Sequence, residues 1–333
     1  MKKILLSLIF LCLSNHVIAD DKIIFGTNWV AQPEHGGFYQ ALAEKEYNKC
    51  GIKVEILQGG PNTNNRAKLI SNKIDLYMGG NLIQLINSRS RGIPIKALAG
   101  FFQKDPQILM SHSKGKLDKW DKLILADPIF ISDLGLITFY EWLIKEHNFL
   151  AEKRRPYIYN SAPFLSNINS VQQGYLTSEP YSIFQETGQE PNIFLLSDYG
   201  FNTYSSTIEA MENTINDRPE EIECFINASI KGWIKYLYDD PTKGNQIIKT
   251  ENPEITDDKI AYSIAKMKEF GIVDSGDTIA NGIGYMNNDR IRSFYNKMLQ
   301  SEIVEGVANI DNIFDDQFIG KGVGLELKRQ LLN

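Results

Sequence analysis

Ile74-Asp75-Leu76-Tyr77-Met78-Gly79-Gly80-Asn81 is the stretch on which the fold turns. An apolar run carrying one acid ends on two glycines. An amphipathic segment, Leu82 to Arg91, follows, and then a second apolar run, Ile95-Lys96-Ala97-Leu98-Ala99. Short apolar runs bounded by turn residues read as strands, and helical spacing between them reads as a helix. The same unit recurs upstream. Lys22-Ile23-Ile24-Phe25-Gly26 predicts a strand, Asn28 to Gly37 a loop, and Phe38 to Cys50 a helix stopped by Gly51. Val54-Glu55-Ile56-Leu57 predicts a strand ending at Gly59-Gly60-Pro61, and Asn64 to Ser71 a helix. Such alternation implies an α/β architecture with a parallel sheet covered on both faces.

Downstream of Pro106 the pattern restarts. Gln107 to Ser111, Leu123 to Ala126, Arg155 to Asn160, Tyr175-Leu176-Thr177 and Ile193 to Leu196 predict strands, with helices over Leu134 to Glu146 and Phe164 to Gln173. After residue 205 the character becomes helical. Pro219 to Tyr238 is strongly amphipathic, and further helices are expected over Asp257 to Phe270 and Asn288 to Leu299, with Asp217 and Thr256 as N-caps. The chain of 333 residues is too long for one ordinary core. The expected organisation is a leader over 1–19, lobe 1 over 20–104, lobe 2 over 105–200, and a return to lobe 1 with C-terminal helices over 201–333.

The leader is read from Lys2-Lys3, the apolar run Ile4 to Leu13, and Val17-Ile18-Ala19, after which cleavage would expose Asp20. The apolar run is well short of the roughly 20 residues that span a membrane. Cleavage moves the formal charge from −6 to −8 and removes Cys12. An acidic chain whose one basic run is Lys153-Arg154-Arg155 is a poor partner for nucleic acid. Cys50 and Cys224 remain. They are expected as free, partly buried thiols, although two distant thiols could also pair, and neither has the neighbours of a metal site. No metal or cofactor is called for.

Ligands of open α/β sheets sit at the C-terminal ends of strands. That rule selects Asn28-Trp29, Gly59-Gly60, Gly79-Gly80, Asp127 and Thr177-Ser178-Glu179. Trp29 offers a flat surface for a ring, or caps the sheet. His35, ahead of a helix, could donate to a ligand or cap its loop. Gly59 to Asn65 and Gly79-Gly80-Asn81 could present amides to an anion, or be ordinary turns. Glu179 suits an amino or ring N–H partner, or is a surface acid. Tyr39 and Tyr204 are further wall candidates, the latter in an aromatic crossover over Asp198 to Tyr204. No nucleophile elbow, HExxH motif or catalytic Cys–His set occurs, so binding is expected rather than catalysis.

Several of these motifs together resemble one family. Thr27-Asn28-Trp29, Pro33-Glu34-His35-Gly36-Gly37-Phe38-Tyr39, Gly51 to Ile56, Arg91 to Ile95, Gln172 to Tyr181, Leu196 to Gly200 and Gly271 to Asp277 are similar to periplasmic solute-binding proteins of ABC importers. The subgroup is the nitrate/taurine/sulfonate type, which includes thiamine-pyrimidine binders and synthases. The resemblance implies a two-lobed (type II) clamshell closing on its ligand, and a periplasmic protein serving an inner-membrane permease with its ATPase. It implies ring contacts from Asn28, Trp29 and Glu179; Gly80, Asn81, His35, Tyr39 and Tyr204 are added as further ligand-site candidates from their own positions in the sequence. A thiamine pyrimidine precursor is the first expectation, and a sulfonate or nitrate-like anion at Gly59 to Asn65, aided by Arg66, the alternative. Synthase members spend an internal Lys and His. Gly80 and Gln84 stand at those positions here, and the synthases' cysteine-rich motif is missing, which counts against an enzyme.

Overall fold

Ten strands form two sheets of five. They are β1 Lys22–Gly26, β2 Lys53–Leu57, β3 Leu76–Met78, β4 Ile95–Phe102, β5 Gln107–Ser111, β6 Ile129–Ile131, β7 Arg154–Pro156, β8 Val171–Tyr175, β9 Asn192–Leu195 and β10 Ser205–Met211. The computed structural model describes residues 22–333, so the expected leader lies outside the described residues. One sheet runs β2-β1-β3-β10-β4 and the other β7-β6-β8-β5-β9. In each, three parallel strands are followed by one antiparallel strand and then an edge strand. The antiparallel strand of each sheet is the one the chain enters on crossing from the other: β4 leads to β5, and β9 leads to β10. Both crossings therefore lie side by side, and the chain is a two-lobed α/β protein. No helix among the described residues is long and apolar enough to cross a membrane.

The sheets are mixed, not parallel, because β10 in one and β5 in the other run antiparallel to their neighbours, and β10 was hidden in the sequence. Ser205-Ser206-Thr207-Ile208-Glu209-Ala210-Met211 is too polar to read as a central strand, yet every residue of it is buried. Four other predicted elements also differ: Arg155 to Asn160 is strand only as far as Pro156, Tyr175-Leu176-Thr177 is strand only at Tyr175, the end of β8, and two more are displaced. Leu123 to Ala126 belongs to a 3₁₀ turn, Trp120–Leu125, and the strand is Ile129–Ile131. Phe164 to Gln173 holds only a short helix, Ala162–Leu165, before β8. There Ser170 Oγ donates to the Asn167 carbonyl (2.7 Å) and Asn167 Oδ1 accepts from Asn169 N (3.0 Å), local bonds that compete with a helix.

The segment Phe38 to Cys50 is split at Lys45, whose φ of 58° is left-handed, into α1 Gly36–Ala43 and α2 Glu46–Lys49. Asp217 closes the helix Glu212–Asp217 rather than capping the next, whereas Thr256 does cap its helix through Lys259 N. α1 lies against the Pro219–Tyr238 helix. A Cβ on Gly36 or Gly37 would come within 2.1 Å of the rings of Tyr236 and Trp233. These glycines thus permit close helix packing, and they place His35 in the interior. The core of lobe 1 is aromatic, with Phe25, Phe38, Phe101, Phe225 and Trp233 in mutual ring contact.

Cys50 and Cys224 form a disulfide, with Cα atoms 5.8 Å apart, correcting the expectation of free thiols. The return segment folds back on α2, a long-range approach that spacing alone did not reveal.

Candidate functional site

In both sheets the strand order reverses between the first and third parallel strands, and at such switch points a crevice opens beyond the carboxyl ends. That rule makes the loops after β1 and β3 in lobe 1, and after β6, β7 and β8 in lobe 2, the candidate walls of one cleft. Three of them carry the Asn28-Trp29, Gly80-Asn81 and Glu179 positions.

The loop after β1 is built to hold Trp29 still. Thr27 Oγ1 donates to the Trp29 carbonyl (2.7 Å), and Gly59 N donates to the same carbonyl (3.0 Å). Asn65 Nδ2 donates to Thr27 O (2.8 Å) and Leu57 O (3.2 Å). A Cβ on Gly59 would lie 2.5 Å from the backbone of this loop, so only glycine fits. Thr63 N donates to Gly60 O, and Asn64 caps the next helix, α3 Asn65–Ile70, at Ala67 N. Within the Gly59–Asn65 turn, Gly59 N and Asn65 Nδ2 support the Trp29 loop, and the Thr63 and Asn64 bonds hold the turn and the start of α3. Arg66 is engaged through its terminal nitrogens, while its buried Nε has no hydrogen-bond partner among the described residues. Its guanidinium pairs with the fully buried Glu209 carboxylate (2.7 Å).

Across the cleft, Glu179 opens the helix Glu179–Thr187. Its carboxylate accepts from Tyr175 N (2.7 Å) and from the Tyr157 hydroxyl (3.2 Å). Burial holds its pKa above the usual carboxylate range. The preceding turn is fixed from lobe 1. Thr177 Oγ1 donates to the buried Glu34 carboxylate, and Ser263 Oγ donates to Thr177 O (2.7 Å). The lobes also meet at Trp29 and Tyr159, whose ring centroids are 4.8 Å apart.

The other candidates divide. Gly80 borders open space, since a Cβ there would meet nothing within 4 Å. Asn81 caps the helix that follows, α4 Leu82–Ser90, and its side chain also bonds Asp105 at the first lobe crossing. Asn28 is half-buried at the rim. Tyr39 and Tyr204 are fully buried with committed hydroxyls, Tyr39 on Glu251 (2.8 Å) and Tyr204 on Asp277 (2.7 Å) and Asn287 N (2.8 Å). His35 is fully buried, with neither ring nitrogen partnered among the described residues. Burial lowers its pKa to about 3, so it is neutral and no base at ordinary pH. Asp127 precedes β6, so that position is not at a strand end. Sequence reasoning missed Tyr157, Tyr159, Glu34 and Asp105. The aromatic alternation Tyr157-Ile158-Tyr159 was the available signal, but it was absorbed into a predicted strand.

Buried carboxyls gather around Tyr175. The Tyr175 phenol is pushed well up, by burial first and then by Asp105, Glu34 and Glu179. Asp105, buried and accepting from Gln107 N (3.0 Å), is raised to about 6 by burial. A carboxyl with a raised folded-state pKa adds stability that is complete below its unfolded value and is lost as pH rises through the folded one. Asp105→Asn is therefore expected to match the wild-type denaturant midpoint near pH 4. By pH 7 it should exceed it by up to about 3 kcal/mol. His35 acts with the opposite sign over part of this window, losing stability as pH falls below about 6.5 toward 3. In Asp105→Asn that opposing slope is left exposed. Urea titrations at pH 4 and pH 7 measure the difference.

Residues 32–123 and 158–243 match the family model described as NMT1/THI5 like, more than half of the chain. The chain belongs to the NMT1/THI5-like family. The match spans the Trp29-supporting turn, the β3 end and residues 158–179, with Trp29 and Tyr157 just outside it. No curated protein sequence matches it. Among solved structures it is similar to the periplasmic sulfonate-binding protein SsuA of Methylobacillus flagellatus, at 14% identity and TM-score 0.62, covering 93% of this chain and 96% of that one. It is likewise similar to the alkanesulfonate-binding SsuA of Xanthomonas axonopodis pv. citri bound to MOPS, at 10% identity and TM-score 0.64, covering 89% and 98%. The desulfurization enzyme DSZB is similar too, at 12% identity and TM-score 0.60, covering 93% and 99%. At these identities the likeness is one of fold, and this member of the NMT1/THI5-like family has the fold of periplasmic binding proteins.

Proposed function

We propose that this chain is the solute-binding component of an ABC importer, working in the periplasm. It captures a small N-heteroaromatic solute bearing amino or ring N–H groups by closing its lobes on it. One observation carries the reading: Trp29, its backbone fixed by its loop, meets Tyr159 of the other lobe, next to the Tyr157–Glu179 pair, with the buried carboxyls Glu34 and Asp105 near Tyr175. A flat ring stacks on the indole, and its N–H groups meet acceptors. A thiamine pyrimidine precursor, an aminopyrimidine, has this pattern. An inner-membrane permease with its ATPase would receive the loaded form. We assign binding rather than catalysis, because Gly80 and Gln84 have no group to serve as a spent Lys or His.

The named relatives support the rival reading, a sulfonate. Against it, Arg66 is already paired with Glu209, and the Gly59–Asn65 turn is engaged with Trp29. Carboxyls in the cleft repel an anion. Native mass spectrometry of protein purified from its own periplasm is the test. A co-purified amino-heteroaromatic is expected, and a sulfonate would overturn the reading. Trp29→Ala should weaken binding of that ligand about 10- to 100-fold by calorimetry, the usual worth of a lost ring stack.

A further inference from the structure

Tyr159 follows β7 and so belongs to lobe 2, yet its nearest ring neighbour across the cleft is Trp29 of lobe 1, at 4.8 Å and 51°. On its other side the Tyr157 ring lies 5.4 Å away, and the Tyr157 hydroxyl donates to Glu179 (3.2 Å). Trp29, Tyr159, Tyr157 and Glu179 thus form one continuous run from lobe to lobe, ending on a carboxylate. Despite two ring contacts, Tyr159 is 45% exposed, so it is no part of the lobe 2 core. Its φ of 61° is left-handed, an uncommon conformation for a bulky side chain that is found where surroundings hold it for a purpose. Its hydroxyl is tied to Ser132, just beyond β6. Packing of lobe 2 does not call for a strained, half-exposed tyrosine held at both ends.

We infer that Tyr159 is the opposing jaw of the site, covering the second face of a flat ring that lies on Trp29, and that it selects ligands for planarity. The inference rests on the ring-binding reading above. Two rings at 4.8 Å leave no space for a third. A sandwich needs about 7 Å between the outer rings, two contact layers of roughly 3.5 Å each. Ligand entry therefore parts Trp29 and Tyr159 by about 2 Å, the kind of displacement hinge opening supplies.

The test is calorimetric titration of the mature protein with 4-aminopyrimidine and with its puckered analogue 4-aminopiperidine. Tyr159→Ala should weaken 4-aminopyrimidine about tenfold and leave 4-aminopiperidine within about twofold. Tyr159→Phe, which keeps the ring, should stay within about twofold of wild type for both. Tyr159→Leu, which keeps bulk without a flat face, should behave as Tyr159→Ala and guards against a folding defect, with thermal melts alongside. If Tyr159→Ala or Tyr159→Leu binds 4-aminopyrimidine as wild type does while Trp29→Ala weakens it, the jaw is wrong and the ring-binding reading stands. If wild-type protein does not bind 4-aminopyrimidine at millimolar concentration, that reading falls and the jaw falls with it.

Discussion

Reduction of the Cys50–Cys224 disulfide is expected to lower the stability of the protein by about 2–5 kcal/mol. The bond closes a loop of 174 residues, and the loop-entropy relation puts the upper end near roughly 5 kcal/mol for that length. The loop contains the whole of lobe 2. In the unfolded chain the two segments that build lobe 1 would otherwise wander independently, and the cross-link removes that freedom. In the folded chain the segments are already in register without it. The Tyr47 ring stacks on Phe225 at 5.4 Å, and the hydroxyls of Tyr47 and Ser229 are 3.0 Å apart. Reduction should therefore leave the fold intact while weakening it. Cys50 is exposed, so a thiol reductant can reach the bond. The measurement is the guanidinium midpoint with and without reductant, repeated on Cys50→Ala/Cys224→Ala. A reduced protein with an unchanged midpoint would contradict the argument. Affinity for the ligand should barely change, because the bond ties α2 to the return helix rather than the loops that carry Trp29 and Glu179.

The parts legible in the sequence are those whose cause is local. The runs Ile23-Ile24-Phe25, Val54-Glu55-Ile56 and Leu76-Tyr77-Met78 are strands because short apolar runs between turn residues have little alternative. From them follow the strand ends, and so Asn28-Trp29 and Gly80-Asn81. What was not legible depends on distant residues. β10 is not read as a strand because Thr207 and Glu209 are polar, and it is a buried strand because Arg66, 143 positions away, neutralises Glu209. Gly36-Gly37 falls at the end of the predicted loop Asn28 to Gly37, beside His35. Its small size lets Tyr236 and Trp233 approach α1. Tyr159 acquires its interest only when the fold brings Trp29 to it. Glu34 and Thr177 lie 143 positions apart, and their bond likewise exists only in the folded pair of lobes.

Glu209→Ala should cost about 3–5 kcal/mol at neutral pH, and its partner's removal less. The Arg66 guanidinium contacts Glu209 at 2.7 Å, and the Glu209 side chain is fully enclosed, also accepting from Thr207 Oγ1 at 3.2 Å. Arg66 is itself largely buried, with its guanidinium 5.1 Å from the centre of the Tyr77 ring. An arginine cannot shed its charge at any ordinary pH, so without Glu209 a cation is left in the interior with no carboxylate to answer it. Glutamate has an escape. Burial already pushes the Glu209 pKa up, with Arg66 the main influence pulling it back. In Arg66→Met that restraint disappears and the carboxyl takes a proton on folding. A group of this kind destabilises above its unfolded pKa and ceases to do so below it. The cost of Arg66→Met should therefore shrink as pH falls from 7.5 to below 4.5, while Glu209→Ala keeps its penalty, because Arg66 holds its charge throughout. Arg66→Met/Glu209→Leu, which removes both charges and fills the space, should recover most of the loss at pH 7.5. Urea midpoints of the three variants at pH 4 and pH 7.5 decide it. Equal pH dependence in the two single variants would mean that the pair is not the sealed interior ion pair on which β10 depends.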